Sequence, residues 1–381
     1  MPAYLDHNAS TPVDAAVIEA MLPYLREQFG NPSSVHRQGR RARAAIDTAR
    51  AQVAALANAH PSQVIFTSGG TEANNLAVKG VAARSAPGRM LIGATEHPSV
   101  AEAADSLTEN GWQIGRLPVD SQGRILTAAL IQQLPSRPRL VSVMTANNET
   151  GVIQDIAAIA EIVRASGALL HTDAVQAAGK LELDFTASGA HLMSLSAHKI
   201  GGPKGVGALV VDKAVDMKPL LHGGGQEKDR RSGTENVAGI VGFGAAAAQV
   251  QERLAAYRLR VARLRDLLER ELHAIGAMEI FSGDAARLPN TSCFGVRGMD
   301  GETLVLGLDR LGFAVSSGSA CASGSTEPSP VLLAMGVDRE LARGSVRVSL
   351  GWSSSEAEVN DFLHALTAVL TGRRPRQAAN A

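Results

Sequence analysis

Lys199 closes the apolar run of "SLSAHKIGGPKGVGALVV", which predicts a buried β-strand ending in a serine, a histidine and this lysine. A buried or crowded lysine has a lowered pKa and can form a Schiff base with a carbonyl compound. The glycines that follow only superficially resemble a phosphate loop, because the pattern Gly-x-x-x-x-Gly-Lys-Ser/Thr is absent. A lysine exposed at a strand end explains Lys199 equally well when it is taken alone.

Asp173 follows a second apolar run, in "HTDAVQAAGK", where an unpaired buried carboxylate would be costly. Its simplest use is to keep a pyridine nitrogen protonated, which turns bound pyridoxal 5'-phosphate into an electron sink. The alternative is an N-cap for the segment that follows. Together, Asp173 and Lys199 favour a pyridoxal phosphate site.

Three further segments offer groups to the same site. The glycine turn of "TSGGTEANN" could bind phosphate through backbone amides and the Ser68 and Thr71 hydroxyls, although such turns often merely begin a helix. His97 could stack on a ring and move protons near neutral pH, or it could be a structural hydrogen bonder. Arg347, within an apolar strand, could bind a substrate carboxylate or form an internal salt bridge.

Cys321 and Cys293 are the two cysteines of the chain. Cys321 lies in "SSGSACASGSTEPS", whose small residues bury little apolar surface, so we predict a flexible segment that carries a nucleophilic thiol. An incidental exposed thiol is the alternative. We predict Cys293 to be inert and in the core. The cysteine and histidine spacing predicts no permanent metal site, and a transient metal-cluster contact would involve Cys321.

Short apolar runs alternate with helical patterns in the first two-thirds of the chain, which predicts an α/β domain with a mostly parallel sheet. Ligands of such sheets bind beyond the carboxyl ends of the strands, where the polar motifs above lie. The predicted strands are 63–69, 89–97, 139–148, 168–176, 192–199 and 205–212, and the predicted helices are 71–84, 98–110 and 155–166.

A long helical stretch from about 239 to 275 leads to a second set of elements. These are predicted strands near 278–282, 290–297 and 344–350, followed by a helix at 355–371. We therefore predict a large cofactor-binding domain at 15–255. Residues 256–381, with 1–14, form a predicted smaller α+β domain that carries the Cys321 segment.

The charge balance gives no reason to expect a nucleic-acid or membrane partner, because 37 basic residues face 37 acidic ones. We interpret the basic clusters at 37–43 and 372–376 as a solvated helix face and a frayed tail. The first residues do not read as a signal peptide, and no apolar run reaches the roughly 20 residues of a membrane span. With two cysteines, this predicts a soluble cytoplasmic protein.

The motifs taken together resemble the cysteine desulfurases, a branch of the class V aminotransferase group with pyridoxal phosphate fold type I. The similarity extends over nearly the whole chain, through "YLDHNASTPVD", "FGNPSSVHRQGR", "TSGGTEANNLA", "NNETGVIQD", "HTDAVQAAGK", "SAHKIGGPKGVGAL", "RSGTEN", "LPNTS", "SSGSACASGSTEPSPVLLAMG" and "SVRVSLG". The cysteine motif resembles the long-loop subgroup, which serves iron–sulfur cluster assembly and nitrogenase-type maturation. The resemblance implies a sulfurtransferase that converts L-cysteine to L-alanine, holds the sulfur as a persulfide on Cys321 and passes it to an acceptor or scaffold protein.

The resemblance also implies residue roles. Lys199 would bind the cofactor covalently and take the α-proton, and His97 would stack on the ring and accept the thiol proton. The remaining roles are Asp173 at the ring nitrogen, Gln176 at the ring hydroxyl, Gly70, Thr71, Ser196 and His198 at the phosphate, and Asn148 and Arg347 at the substrate carboxylate, with Asn148 also beside the cofactor. Thr234 would reach the phosphate of the neighbouring subunit, which implies a homodimer with shared active sites.

Two departures from the family pattern bear on these expectations. His7 stands where an aromatic residue or asparagine is common, and the end "TAVLTGRRPRQAANA" lacks a recognisable scaffold-docking segment, so the acceptor stays open. Selenocysteine lyase or a small amino-acid aminotransferase of the same fold is the alternative function. A non-catalytic sulfur-relay subunit is a second alternative, against which the lysine, aspartate and histidine set argues.

Overall fold

A computed structural model describes residues 3–276, 278–318 and 327–372. Its strands are β1 Ala3–Tyr4, β2 Val64–Thr67, β3 Arg89–Gly93, β4 Gln113–Leu117, β5 Leu140–Ser142, β6 Leu169–Asp173, β7 Leu192–Ser196, β8 Gly207–Val211, β9 Met278–Ile280, β10 Thr291–Val296, β11 Phe313–Ala314, β12 Ser316–Ser317 and β13 Ser345–Ser349. Its α-helices are α1 Ala15–Arg26, α2 Arg37–Leu56, α3 Gly70–Ala82, α4 Pro98–Asp105, α5 Thr127–Gln133, α6 Ile156–Arg164, α7 Phe185–Ser188, α8 Val237–Ile275, α9 Gly301–Arg310, α10 Pro330–Ala334, α11 Arg339–Arg343 and α12 Glu356–Thr371. Cys321 lies outside the described residues.

The central sheet has seven strands in the order β2-β8-β7-β6-β5-β3-β4. β8 is antiparallel to both of its neighbours, and all other pairs are parallel. The six strands predicted for this region are all present, each a few residues shorter than expected. β4 was not predicted, because only Leu117 of this edge strand is buried and its sequence shows no apolar run. The sheet confirms the α/β prediction.

Helices cover both faces of this sheet and complete two apolar cores. Along β8, Ala208 and Val210 point into one core, which α2, α6 and the first part of α8 share. Leu209 and Val211 point into the other core, which α3 and α4 complete. This two-sided burial explains why the central strands are nearly continuous apolar runs. The predicted helix face at 37–43 is the start of α2, whose buried side includes Ala42.

The C-terminal part has a four-stranded antiparallel sheet, β12-β13-β10-β9, beside the short parallel pair of β1 and β11. A third apolar core lies here, and Phe294, Phe362 and Leu268 belong to it. Helix α8 connects the cores, because Phe243 packs in the first and Leu268 in the third. The domain boundary between 255 and 256 stays a prediction.

Cys293 lies on β10 with no exposed surface, which confirms its predicted place in the core. Burial raises the pKa of its thiol, and the neighbouring Glu149 adds to this, so the thiol is protonated at neutral pH. Over the described ranges, no helix is long and apolar enough to cross a membrane. Within the same residues, no group of three histidine, cysteine or acidic side chains could hold a metal ion.

Candidate active site

A cleft of about 250 Å³ lies at the carboxyl ends of β5, β6 and β7. The parallel strands bring their polar ends to one edge of the sheet, as the sequence predicts. Nine residues predicted for the site line this cleft, namely Gly70, Thr71, His97, Asn148, Asp173, Gln176, Ser196, His198 and Lys199.

Asp173 is the last residue of β6 and is 6% exposed. Its carboxylate accepts hydrogen bonds from Asn74 Nδ2 at 2.7 Å and from the backbone N–H of Val175 at 2.9 Å. The bond to Val175 closes a turn and not a helix, so the predicted alternative of a helix N-cap is wrong. The carboxylate therefore remains in the cleft wall, where it can accept a hydrogen bond from a protonated ring nitrogen.

Sequence reasoning missed Asn74, which holds the Asp173 carboxylate in place. Asn74 Nδ2 also donates to Ser99 Oγ at 2.8 Å, and both side chains line the cleft. Asn74 lies one turn into α3, and Ser99 lies in the first turn of α4. The only sequence signal was their position within a few residues of Thr71 and His97.

His97 is the N-cap of α4, and its Nδ1 accepts the backbone N–H of Ser99 at 3.1 Å. Burial lowers the pKa of His97, Asp173 opposes this shift, and Lys199 adds to it. The neutral ring consequently carries its hydrogen on Nε2. This arrangement suits stacking or hydrogen-bond donation, and a proton from a thiol could be taken at Nε2 only after the tautomer changes.

One end of the cleft is built for an anion. Helix α3 begins at Gly70 with Gly69 as its N-cap, and Gly69 has no side chain to cap the first N–H groups. A Cβ at Gly70 would lie 2.8 Å from Val175 Cγ2, so only glycine lets the helix start approach this strand end. Ser196 Oγ is buried and has no hydrogen-bond partner among the described residues. Phosphate would satisfy these donors.

Two basic side chains stand at the same end of the site. Lys204, which sequence reasoning did not assign, lines an adjoining cleft together with His198 and Thr71. Burial, with Lys199, Lys204 and Lys180 nearby, lowers the pKa of His198 to about 4. His198 is therefore a neutral hydrogen bonder at neutral pH. The carboxylate of Glu72, also in this adjoining cleft, is paired with Arg231 at 2.9 Å.

Lys199 follows β7 in a short 3-10 helix, Ala197–Lys199. Its Nζ donates to the carbonyl oxygens of Asn8 at 2.5 Å and Ala9 at 2.8 Å, in the N-terminal segment. Gln176 Nε2 donates to the same Asn8 oxygen at 2.9 Å. Lys199 also lines a second cavity, which we call the back cavity, on the side of His7, Lys180, α8 and Trp352.

The structure shows the internal salt bridge that the sequence left as one of two possibilities for Arg347. Its Nη2 lies 2.6 Å from Asp6 Oδ1, and its Nη1 donates to the carbonyl oxygen of Asn148 at 2.9 Å. Arg347 is 5% exposed and is absent from the described lining of the cleft. The Arg347 Nε has no partner within the described part of the chain. Its role toward a substrate stays a prediction.

Thr234, like Arg347, is a predicted site residue outside the described lining of the cleft. It is exposed and lines a separate cleft with Phe66, Glu227 and Arg231. A residue that serves the site of a neighbouring subunit would lie outside its own cleft, and this role of Thr234 stays a prediction.

Both flanks of the Cys321 segment are attached near Arg347. On one side, Ser316 of β12 pairs with Arg347 of β13. On the other side, Ser329 Oγ donates to Glu149 Oε2 at 2.5 Å, and Glu149 belongs to the "NNETG" loop that follows β5. Burial raises the pKa of Glu149 to about 7, against the effects of Ser329 and Arg347.

Comparisons with known proteins find similar proteins over nearly the whole chain. The family model for class-V aminotransferases matches residues 3–362. The cysteine desulfurase IscS of Dictyoglomus turgidum is 43% identical over 370 residues, which cover 96% of this chain and 94% of that protein. A solved NifS-like protein is 37% identical with a TM-score of 0.92, over 98% of this chain and all of its own. SspA, solved in complex with cysteine, is 32% identical with a TM-score of 0.80, over 91% of this chain and 98% of its own.

Proposed function

The chain belongs to the class-V aminotransferase family, and we propose that it is a cysteine desulfurase that converts L-cysteine to L-alanine. The enzyme uses pyridoxal 5'-phosphate. The observation that carries the proposal is the cleft at the ends of β5, β6 and β7, where Asp173, His97 and Lys199 meet beside the donors of Ser196 and the start of α3.

The cleft fits this cofactor at both of its ends. Ser196 Oγ and the uncapped start of α3 offer donors to the phosphate, and Asp173 offers a buried acceptor to the ring nitrogen. When bound, the cofactor withdraws electrons from the α-carbon of an amino acid and so activates its side chain. Lys199 would hold the cofactor and move the α-proton, Gln176 would bind the ring hydroxyl, and His97 would cover the ring face.

Cys321 is the proposed acceptor of sulfur from the substrate. The carbon–sulfur bond of cysteine breaks, a sulfur–sulfur bond forms at Cys321, and the remaining carbon skeleton leaves as alanine. No external oxidant is needed, because the carbon is reduced as the thiol of Cys321 is oxidised. Arg347 and Asn148, beside β12, would receive the substrate carboxylate.

The assembly and location belong to the same proposal. We propose a homodimer in which Thr234 of each subunit serves the site of the other. We also propose that the enzyme passes its sulfur to an acceptor protein, for the assembly of iron–sulfur clusters or other sulfur-containing cofactors. The proposed compartment is the cytoplasm.

Substitution of the nucleophile tests the function. Cys321→Ser should keep the absorbance of bound cofactor but lose alanine and sulfide production from L-cysteine, because no thiol is left to take the sulfur. Cys293→Ala is the matched control and should stay active, since Cys293 is buried in the core. Mass spectrometry of the wild type should find one extra sulfur atom on Cys321.

Other outcomes point elsewhere. Full activity of Cys321→Ser would remove Cys321 from the reaction, and release of selenide from selenocysteine by that variant would favour a selenocysteine lyase. A keto acid with pyridoxamine phosphate would indicate an aminotransferase. A wild-type protein that binds acceptors but never the cofactor would indicate a relay subunit.

A further inference from the structure

Lys180 is a buried lysine whose position the proposed reaction does not explain. It lies in the turn after β6 and is 2% exposed. Among the described residues, no carboxylate forms an ion pair with it. Its Nζ instead donates to two oxygens of Gln176, the backbone carbonyl at 3.0 Å and the side-chain Oε1 at 2.9 Å. Burying a long polar side chain costs free energy, so the buried position of Lys180 calls for an explanation.

A chain of hydrogen bonds connects Lys180 to Lys199. Lys180 holds Oε1 of Gln176, which directs Nε2 of the same amide to the carbonyl oxygen of Asn8. That oxygen also accepts from Lys199 Nζ. If the Gln176 amide turned over, its oxygen would face the Asn8 carbonyl and two acceptors would meet. The donor at Lys180 and the acceptor at Asn8 therefore favour the same orientation of the Gln176 amide, and Lys180 holds its oxygen end.

Lys180 can keep both hydrogen bonds to Gln176 whether or not its amine is charged. Burial lowers the pKa of Lys180 well below its usual value, and Lys199 and Arg347 add to this. Burial lowers the pKa of the nearby His7 to about 4. Lys180 lowers it further, and Glu358 opposes the shift. An ammonium has three N–H donors and a neutral amine has two, so either form can keep both bonds to Gln176.

We propose that Lys180 is a positioning residue, whose amine orients the side-chain amide of Gln176 and, through the Asn8 carbonyl, the amine of Lys199. Lys180 acts on the reaction through Gln176 and Asn8 and is not itself a catalytic residue. The inference rests on the proposed function only for its effect on turnover. Its structural part can be measured on the cofactor-loaded protein without any substrate.

Lys180→Met tests the inference, because it keeps the length of the side chain and removes the donor. We expect the pH midpoint of the bound cofactor's absorbance to move by about 0.5 unit or more, since Lys180 no longer holds the amide of Gln176, the proposed partner of the ring hydroxyl. We also expect kcat for L-cysteine to fall about tenfold, with KM changed less than about threefold. The midpoint comes from spectra recorded across the pH range, and kcat from alanine release.

Two matched variants separate positioning from folding. Lys213→Met makes the same change at an exposed lysine after β8 and should leave both quantities unchanged. Lys180→Gln retains an N–H donor and should restore the midpoint toward the wild-type value. A Lys180→Met protein with the midpoint and kcat of Lys213→Met overturns the proposal, even if its melting temperature falls.

A second experiment tests the inference if the Lys180→Met protein does not fold. Lys180→Ala leaves a space beside the back cavity, through which ethylamine can enter. The midpoint should then shift in Lys180→Ala and return with added ethylamine, and an unmoved midpoint overturns the proposal. Failure of the wild type to form alanine would instead reject the proposed function, because the cofactor midpoint would still report on Lys180.

Discussion

Arg347 shows how one side chain can be paired and still offer a donor. Asp6 and the Asn148 carbonyl occupy its two terminal nitrogens, and they hold the plane of the guanidinium in a single orientation. Its Nε has no partner in the part of the chain that the structure describes. A planar guanidinium held in this way is suited to recognise a carboxylate. A lysine ammonium on a flexible side chain cannot reproduce this fixed geometry.

Arg347→Lys should therefore raise KM for L-cysteine about tenfold or more, because one charge-assisted hydrogen bond is lost. Steady-state kinetics with the cofactor-loaded enzyme measures the change. Asp6→Asn keeps an acceptor for Arg347 and should have a smaller effect on KM. An unchanged KM in Arg347→Lys, with only a lower melting temperature, would leave Arg347 a purely structural role.

At the scale of elements, the connection from β8 to α8 contains three successive residues in the left-handed region, Glu227, Lys228 and Asp229, with φ of 47°, 60° and 62°. Such a conformation is costly for residues that have a Cβ. It is held by Glu227, whose carboxylate receives both terminal nitrogens of Arg50 at 2.6 and 2.7 Å and the backbone N–H of Phe66 at 2.9 Å. A buried ion pair between this connection and α2 thus offsets the backbone strain.

Asp229→Gly should raise the free energy of unfolding by about 0.5–1 kcal/mol, because glycine adopts a positive φ without a steric penalty. Asp229 is exposed, so the loss of its carboxylate should matter little. Thermal unfolding measures the effect. Asp361→Gly, at an exposed position inside α12, is the matched control and should destabilise the protein. A lower melting temperature for Asp229→Gly would contradict the role given to strain.

At the scale of the whole molecule, two buried histidines and the partly buried His198 connect stability to pH. Burial is the largest cause that lowers the pKa of His7, His171 and His198 to about 4. The unfolded chain takes up these protons near pH 6.5 and the folded chain only near pH 4, so stability is lost as the pH falls through this window. Glu149 and the buried Glu96 act in the opposite sense, because burial raises the pKa of both carboxyls and so removes stability as the pH rises above 4.5.

The histidines should dominate, and urea unfolding should show a lower free energy of unfolding at pH 4.5 than at pH 7. His171, fully buried between Ser142 Oγ and Ser194 Oγ, should account for on the order of 3 kcal/mol across the full window. His171→Gln should flatten the pH dependence, whereas His364→Gln, at an exposed position, should not. Equal slopes in the two variants would show that His171 is not responsible.

The strands and their polar ends could be predicted from the sequence, because burial on both faces leaves apolar runs and a parallel sheet gathers its carboxyl ends at one edge. This local logic placed Asp173, His97 and Lys199 at the cleft, whereas Asn148, Gln176, Ser196 and His198 were expected there only from the resemblance to a known family. β4 escaped it, since an edge strand with polar residues carries no such pattern.

Only the tertiary structure decided what these residues contact. Asp6, the partner of Arg347, is 341 residues away in the chain, and Asn8 lies 191 residues from Lys199. Spacing along a sequence carries no record of such pairs, because they form when the N-terminal segment packs between β13 and the end of β7. Residue types and local pattern therefore indicated the chemistry of the site, whereas the orientation of each group depends on contacts that only folding creates.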